Sequence, residues 1–284
     1  MNKQHNFTFS DFWTNAVYDR FSEENILKIN DLLFAKIDDI FRCQQFFEFS
    51  INPPEYNKLL TYLNKNNKFR FNYIDQNLFD NINNWCKLNE LNLEIIDCWE
   101  APKLKLTSNR IENYLLSNCG KQTKKNYLKY KNSFNDYVYL DSNCYDMDKL
   151  WNDVLSIDKN SWKYREQSDM KSLNREDLQY KKFLYNNRQN SFLNVVYRDD
   201  VPIAYSLFFK NIKTKQWYAV KWGASDLGRK YYAGFFCLYN HLEKIEKSDG
   251  MINIDFWGRR SPTYNLLKNY EDNRYHILVS KWGA

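Results

Sequence analysis

Arg229, Lys230 and Gly234 lie in the stretch RKYYAGFFCLYNHL, directly after Gly228, and together they describe a place for an anion. A loop entering a helix leaves backbone N–H groups unpaired at the positive end of the helix dipole, which attracts negative charge. A residue without a Cβ lets that backbone approach its ligand closely. Glycine is scarce in this chain, and six of its seven glycines fall between positions 223 and 283, so their placement there carries information. Gly223 follows a β-rich run, Gly228 and Gly234 bracket the loop, and Gly258 follows the next β-rich run.

Other chemistries find little support. The three histidines, His5, His241 and His276, stand in unrelated stretches, so no Ser-His-Asp or Cys-His arrangement is expected. Cysteines 43, 86, 98, 119, 144 and 237 are far apart and include no C-x-x-C pair. Zinc sites need ligands clustered at short fixed spacing, so no metal site is expected and the thiols read as buried and reduced.

With 284 residues, 43% of them apolar and 18% aromatic, the chain has the bulk to fold around a real core in one large domain or two small ones. The net charge of +6 permits an anionic partner without requiring one. The start, MNKQHNFTFSDFW, has no apolar h-region, and no window of about 18 residues is free of charge, so neither a signal peptide nor a membrane span is expected. The expected location is the cytoplasm.

Ile26, Ile29, Leu33, Ile37 and Ile40 recur at three- and four-residue steps and predict an amphipathic helix across EENILKINDLLFAKIDDIF. Pro53 and Pro54 open a helix over EYNKLLTYLNK, NLFDNINNWCKL predicts a third, and LNLEIIDCW predicts a strand ending before Pro102. Two helical segments flank Gly120, the second carrying Lys121, Lys124, Lys125, Lys129 and Lys131. A long helix over DMDKLWNDVLSIDKNSWK and a shorter one over REDLQYKKFLYNN follow. The period then changes: FLNVVYRDDVPIAYSLFF predicts a hairpin turning at Asp199-Asp200, and QWYAVKWGA a third strand. A helix from Gly234, the strand MINIDFW, a helix in SPTYNLLKNY and a last strand in YHILVSKW complete the order. The unit 216 to 257 is long enough for a parallel crossover.

Strand QWYAVKWGA, loop SDLGRKYYAG, the helix, strand INIDF and the Tyr-rich helix after it resemble the acyl-donor core of the GNAT superfamily. That superfamily's phosphate loop reads Q/R-x-x-G-x-G/A, and Arg229, Tyr232 and Gly234 occupy its marked places, with Tyr232 standing for the first glycine. Residues 102 to 270 are similar to the FemAB-like and BioF2-like branch, in which this loop is degenerate. The matching pieces are KQTKKNYLKYKNSF, SWK at 161 to 163, DDVPIAYSLFF, and IDFWG with YNLLK. The resemblance implies an α/β fold with a mixed sheet, in two GNAT-like lobes. The expected domains are 1–105, a degenerate N-terminal lobe, and 106–284, the acyltransferase domain.

It also implies transfer of an acyl group from acyl-CoA or an acyl carrier protein to an amine of a small molecule or amino sugar, by direct attack. A main-chain N–H near Lys221, Trp222 and Gly223 would polarise the acyl oxygen, and Arg229, Lys230 and Gly234 would hold the donor's phosphate. Asp255 is the candidate base and Tyr264 the candidate acid. Trp162, Lys163 and Lys268 are candidates for substrate binding. No permanently bound cofactor and no DNA partner are expected. Two alternatives stay open: an aminoacyl-tRNA-dependent transferase of the FemAB-like kind, supported by the basic helix, and an inactive GNAT-fold binding module.

Overall fold

The computed structural model describes residues 17–18, 20–30, 32–44, 49–107, 110–118, 120–131, 138–141, 146–172, 176–186, 188–211, 214–258 and 262–283. The N-terminal stretch 1–13, with His5, and Cys119 and Cys144 lie outside these residues. Contacts divide the chain into two compact units, 1–100 with 272–284 and 101–271.

The first unit begins with strands β1 (Ile26–Ile29), β2 (Leu32–Ile37) and β3 (Ile40–Cys43), two antiparallel pairs where the 3- to 4-residue spacing predicted a helix. Burial decides between the two readings. Leu32, Leu33, Phe34 and Ala35 are all buried in succession, a strand covered on both faces, and the isoleucine spacing matches a helix by coincidence. The reversals are made by Asn30, Asp38 and Asp39, whose φ values of 52°, 50° and 62° lie in the left-handed region that Asn and Asp tolerate.

Helix α1 (Pro53–Leu63) starts with its two prolines in the first turn and a capping box between Asn52 and Glu55. Strand β4 (Lys68–Asp75) runs into helix α2 (Gln76–Leu88), where the Asp75 carboxylate caps the Leu78 N–H. The sheet order is β1-β2-β3-β4-β11-β5, in which β5 is Leu91–Leu106 and β11 is Tyr270–Lys281. Strand β11 pairs antiparallel with β4, which groups the chain's last strand with its first unit. Leu59 and Leu63 of α1 and Leu78, Ile82 and Cys86 of α2 close one core with Phe34, Phe69, Phe71 and Ile277.

In the second unit β5 continues past Pro102, where a strand end was expected. It is followed by helices α3 (Ile111–Asn118) and α4 (Lys121–Lys131) and by strand β6 (Val138–Asp141), which no sequence pattern announced. The long helix predicted over 146–163 is two: α5 (Met147–Lys159) ends at Asn160, and Ser161 caps the four-residue α6 (Trp162–Arg165). Helix α7 (Glu176–Asn186) precedes the hairpin of β7 (Ser191–Arg198) and β8 (Val201–Asn211). Its turn residues Asp199 and Asp200 both have positive φ, as a two-residue hairpin turn requires.

Strand β9 (Gln216–Ala224), the short helix α8 (Asp226–Lys230), helix α9 (Ala233–Asp249) and strand β10 (Ile252–Asp255) form the parallel crossover, and helix α10 (Pro262–Leu267) follows. The order is β5-β10-β9-β8-β7-β6, antiparallel except between β9 and β10. The apolar face expected of α9 is the one it buries: Phe235, Leu238, Leu242 and Ile245 join the core with Val196, Phe208 and Ile254. No described helix is long and apolar enough to cross a membrane. Among the described cysteines, Cys43, Cys86 and Cys237 are buried, whereas Cys98 is exposed, against the expectation of uniformly buried thiols.

Helix α9 also covers a polar knot. His241 Nδ1 lies 2.9 Å from Ser206 Oγ, and Cys237 Sγ lies 3.4 Å from the same hydroxyl. Phe192 and Phe208 pack on the imidazole, whose complete burial, with the Lys244 charge as a lesser cause, lowers its pKa well below the usual value. The folded state therefore excludes a proton that the unfolded chain takes up below about pH 6.5. His241 stabilises fully above that pH, and its contribution is lost as pH falls below it. As pH falls below about 6.5, His241→Gln is expected to flatten the stability curve by up to about 1.4 kcal/mol per pH unit, read by urea unfolding.

Candidate active site

Strand β10 pairs with only the first part of β9. Their parallel register covers Ile254↔Trp217 and Asp255↔Tyr218; β10 then ends, while β9 continues to Ala224. On the opposite side of β9 the register steps from Leu207↔Lys221 to Phe208↔Ala219, making Val220 the extra residue of a β-bulge. Bulges re-aim the groups around them and recur next to active sites. The stretch Lys221 to Gly223 therefore lies just past a bulge, on the part of β9 that extends beyond β10.

Side chains alternate across this stretch. Tyr205 of β8 reaches Asp158 on α5, while its neighbour Ser206 reaches His241 on α9, so the two helices cover opposite faces. Gly223 faces the α5 side, where an added Cβ would lie 2.7 Å from Tyr205 Cε1 and 3.2 Å from Asp158 Oδ1. Trp222 and Ala224 face the α9 side, where a Cβ at Gly234 would lie 3.0 Å from Trp222 Cζ3 and 3.4 Å from Ala224 Cβ. At Gly228 a Cβ would stand 2.1 Å from the Ile203 carbonyl oxygen. Packing beneath the loop thus excludes a Cβ at Gly228 and Gly223 and leaves it little room at Gly234.

Ser225 starts the loop with its N–H bonded to Ile203 O at 3.0 Å and its hydroxyl accepting the Gly228 N–H at 3.1 Å. Arg229 and Lys230 end α8 and are exposed. Tyr232, which stands where the superfamily loop has glycine, takes the conformation glycine would take, with φ 61°, immediately before α9. A non-glycine residue there costs about 1–3 kcal/mol relative to glycine. The Tyr232 side chain does not cap α9, whose positive dipole end follows directly on Arg229 and Lys230.

The SWK stretch meets this loop. Lys163 Nζ donates to the Trp222 carbonyl at 2.6 Å, the Asp226 N–H bonds Asn160 O at 2.9 Å, and Arg165 pairs with Asp226 through contacts of 2.7 and 3.3 Å. Trp162 is exposed. Tyr264 is buried, stacked on Phe256 and 5.8 Å from the Trp222 ring centre. Burial pushes its phenol pKa up, opposed by hydrogen bonding with Trp222. The structure thus brings Trp222, Gly223, Gly234, Tyr264 and Lys163 into one neighbourhood.

Asp255 is completely buried. Its carboxylate accepts the Trp257 N–H at 2.7 Å and faces Lys103 Nζ at 3.5 Å, its cross-strand partner on β5. Lys268 is half-buried and paired with Glu271, while its carbonyl accepts the Tyr114 hydroxyl at 2.6 Å. The sequence reading missed Asp158, Tyr205 and Lys103. A signal existed for Asp158, a charge on the buried stripe of α5 four residues after Val154 and seven after Trp151.

A cavity of about 440 Å³ lies at the opposite end of α9, lined by Arg110, Glu243, Glu246, Lys247 and Gly250 among others, and contains none of the candidate residues. Glu246 there accepts the Ile111 N–H at 3.2 Å, capping α3. The converging strand end, loop and helix start form the better candidate on chemical grounds. Among the described residues no group of three or more His, Cys, Asp or Glu side chains is placed to hold a metal ion.

No family model and no curated protein matches the sequence. Solved structures do match. L-PGS from Bacillus licheniformis superposes with TM-score 0.59 at 11% identity, covering 96% of this chain and 91% of that one. A tandem GNAT protein from the clavulanic acid biosynthesis pathway gives 0.55 at 8% identity over 96% and 88% of the two chains. FemX gives 0.52 at 12% identity over 85% and 83%. At these identities the likeness establishes the architecture, and this chain has the mixed α/β fold of GNAT proteins.

Proposed function

We propose that this chain is an N-acyltransferase. It takes an acyl group from acyl-CoA or an acyl carrier protein and passes it to an amine of a small molecule or amino sugar by direct attack. The observation that carries this reading is the extension of β9 beyond the end of β10 into a loop that leads to the start of α9 and carries the exposed Arg229 and Lys230. Open α/β sheets bind ligands at the carboxyl ends of their strands, and a helix start with adjacent cations suits a phosphate.

In this reading the amine nitrogen attacks the acyl carbon, and the carbon–sulfur bond breaks after a tetrahedral oxyanion has formed. Main-chain N–H groups between Lys221 and Gly223 stabilise that oxyanion. Asp255 takes the amine proton, with Lys103 as counter-charge to the carboxylate. Tyr264 hydrogen-bonds the departing thiolate and supplies its proton as charge builds there. Trp162, exposed on the neighbouring short helix, and Lys268, which follows the helix of Tyr264, are the candidates for contact with the substrate.

The test is release of free thiol from short- and long-chain acyl-CoAs in the presence of an amine panel, with product mass measured. Amine-dependent release supports the reading. A second donor class has its own observation: Lys121, Lys125, Lys129 and Lys131 are exposed on α4, although Lys131 pairs with Glu112. Transfer from aminoacyl-tRNA, with binding that weakens steeply as salt rises, would replace acyl-CoA by that donor. No transfer from any donor would leave a GNAT-fold binding module.

A further inference from the structure

Asp158 is a carboxylate on the buried stripe of α5, with its side chain only 3% exposed. It accepts the Tyr205 hydroxyl at 2.8 Å and the Met170 N–H at 3.3 Å, and faces Lys163 Nζ at 3.8 Å. The sheet has lost a side chain to accommodate it, since a Cβ at Gly223 would collide with Tyr205 and crowd Asp158. Buried ion pairs are often no better for stability than apolar residues of the same shape, so packing alone does not account for this one.

Lys163 completes the arrangement. Its ammonium is bonded to the Trp222 carbonyl and lies 5.6 Å from the Tyr205 ring centre. The short helix that carries it is fixed from outside: Ser161 caps it, the Ser168 N–H bonds the Lys163 carbonyl at 2.8 Å, and Arg165 pairs with Asp226. A lysine on a flexible stem would ordinarily be ordered only when its ligand arrives. Here the ordering is already present, and preorganisation of this kind favours binding.

We infer that Asp158 and Tyr205 are positioning residues that hold the Lys163 ammonium on the Trp222 carbonyl, making it the fixed charge that meets the anionic part of the donor. The identity of the ligand as an acyl donor rests on the function proposed above; the positioning does not.

Two readouts separate these parts. Lysine modification by a water-soluble N-hydroxysuccinimide ester, followed by peptide mass spectrometry, reports on Lys163 without a ligand. Asp158→Asn, which keeps the shape of the side chain, is expected to speed modification of Lys163 relative to Lys230 by about five-fold, and Tyr205→Phe to act less strongly in the same direction. Unchanged ratios in both variants would overturn the positioning. Calorimetric titration with coenzyme A and with uncharged pantetheine then reports on the ligand. Lys163→Met is expected to weaken coenzyme A by about five-fold while pantetheine stays within about two-fold, with Lys163→Arg recovering part of the loss. Equal loss for both ligands, or none for either, would overturn the electrostatic role. A wild type that binds neither, with the labelling effect intact, would support the positioning and contradict the acyl-donor assignment.

Discussion

Lys103→Met is expected to destabilise the protein by about 3–5 kcal/mol, because it leaves the Asp255 carboxylate in the core without its lysine. Asp255 is completely buried and the Lys103 side chain is only 7% exposed, so water does not substitute for the lost partner. The double variant Lys103→Met/Asp255→Asn removes both charges, and the Asn oxygen still accepts the Trp257 N–H that the aspartate now accepts. It is expected to recover most of the stability, which urea unfolding at neutral pH measures as a double-mutant cycle. With Asp255→Asn as the second single variant, costs of the two single variants that simply add in the double variant would show that the pair is not coupled. The double variant also separates fold from chemistry: a folded protein without turnover is the expected result if Asp255 takes the amine proton.

The second large effect lies in the loop. Gly228→Ala places a methyl group 2.1 Å from the Ile203 carbonyl oxygen and 3.0 Å from its carbon, both backbone atoms that cannot rotate away. Helix α8 must lift from β8, straining the Ser225 N–H bond to Ile203 and the cap from Ser225 to Gly228. Overpacking of this kind is expected to cost about 3 kcal/mol and to displace Arg229 and Lys230 enough to lower donor affinity by about ten-fold or more. Gly120→Ala is the matched control. A Cβ there meets nothing within 4 Å, and the change is expected to stay within about 0.5 kcal/mol. Equal behaviour of the two variants would contradict the packing role assigned to Gly228.

Much of the second unit is legible in the sequence because its signals are local. The Asp199-Asp200 turn, the β-rich runs around it and the crossover from β9 to β10 each declare themselves within a few residues. The first unit hides behind a periodicity that two patterns share. Aliphatic residues at 26, 29, 33, 37 and 40 fit a helical stripe, and only the left-handed turns at Asn30 and Asp38-Asp39 show that the chain reverses. The break between α5 and α6 was readable in principle, since Asn160-Ser161 is a cap followed by a new start.

The site was legible in part for the same reason. Glycine placement pointed to the right loop, but the physical cause differs at each position: Ile203, the Trp222 ring and the Tyr205–Asp158 pair each occupy space that a Cβ would take. Those partners are remote in sequence, and no spacing rule reveals them. The Lys103–Asp255 pair is invisible for the same reason, a contact between strands 152 positions apart that only the β5–β10 register creates.

The central claim is that the loop into α9 binds the phosphate of an acyl donor, and calorimetric titration of coenzyme A into wild type and the Arg229→Ala/Lys230→Ala variant tests it most directly. Both side chains are exposed, so the variant is expected to fold as the wild type does. The account predicts saturable binding to wild type that weakens by about ten-fold or more in the variant and falls with added salt. Binding of equal strength to both proteins would place the phosphate elsewhere and contradict the claim.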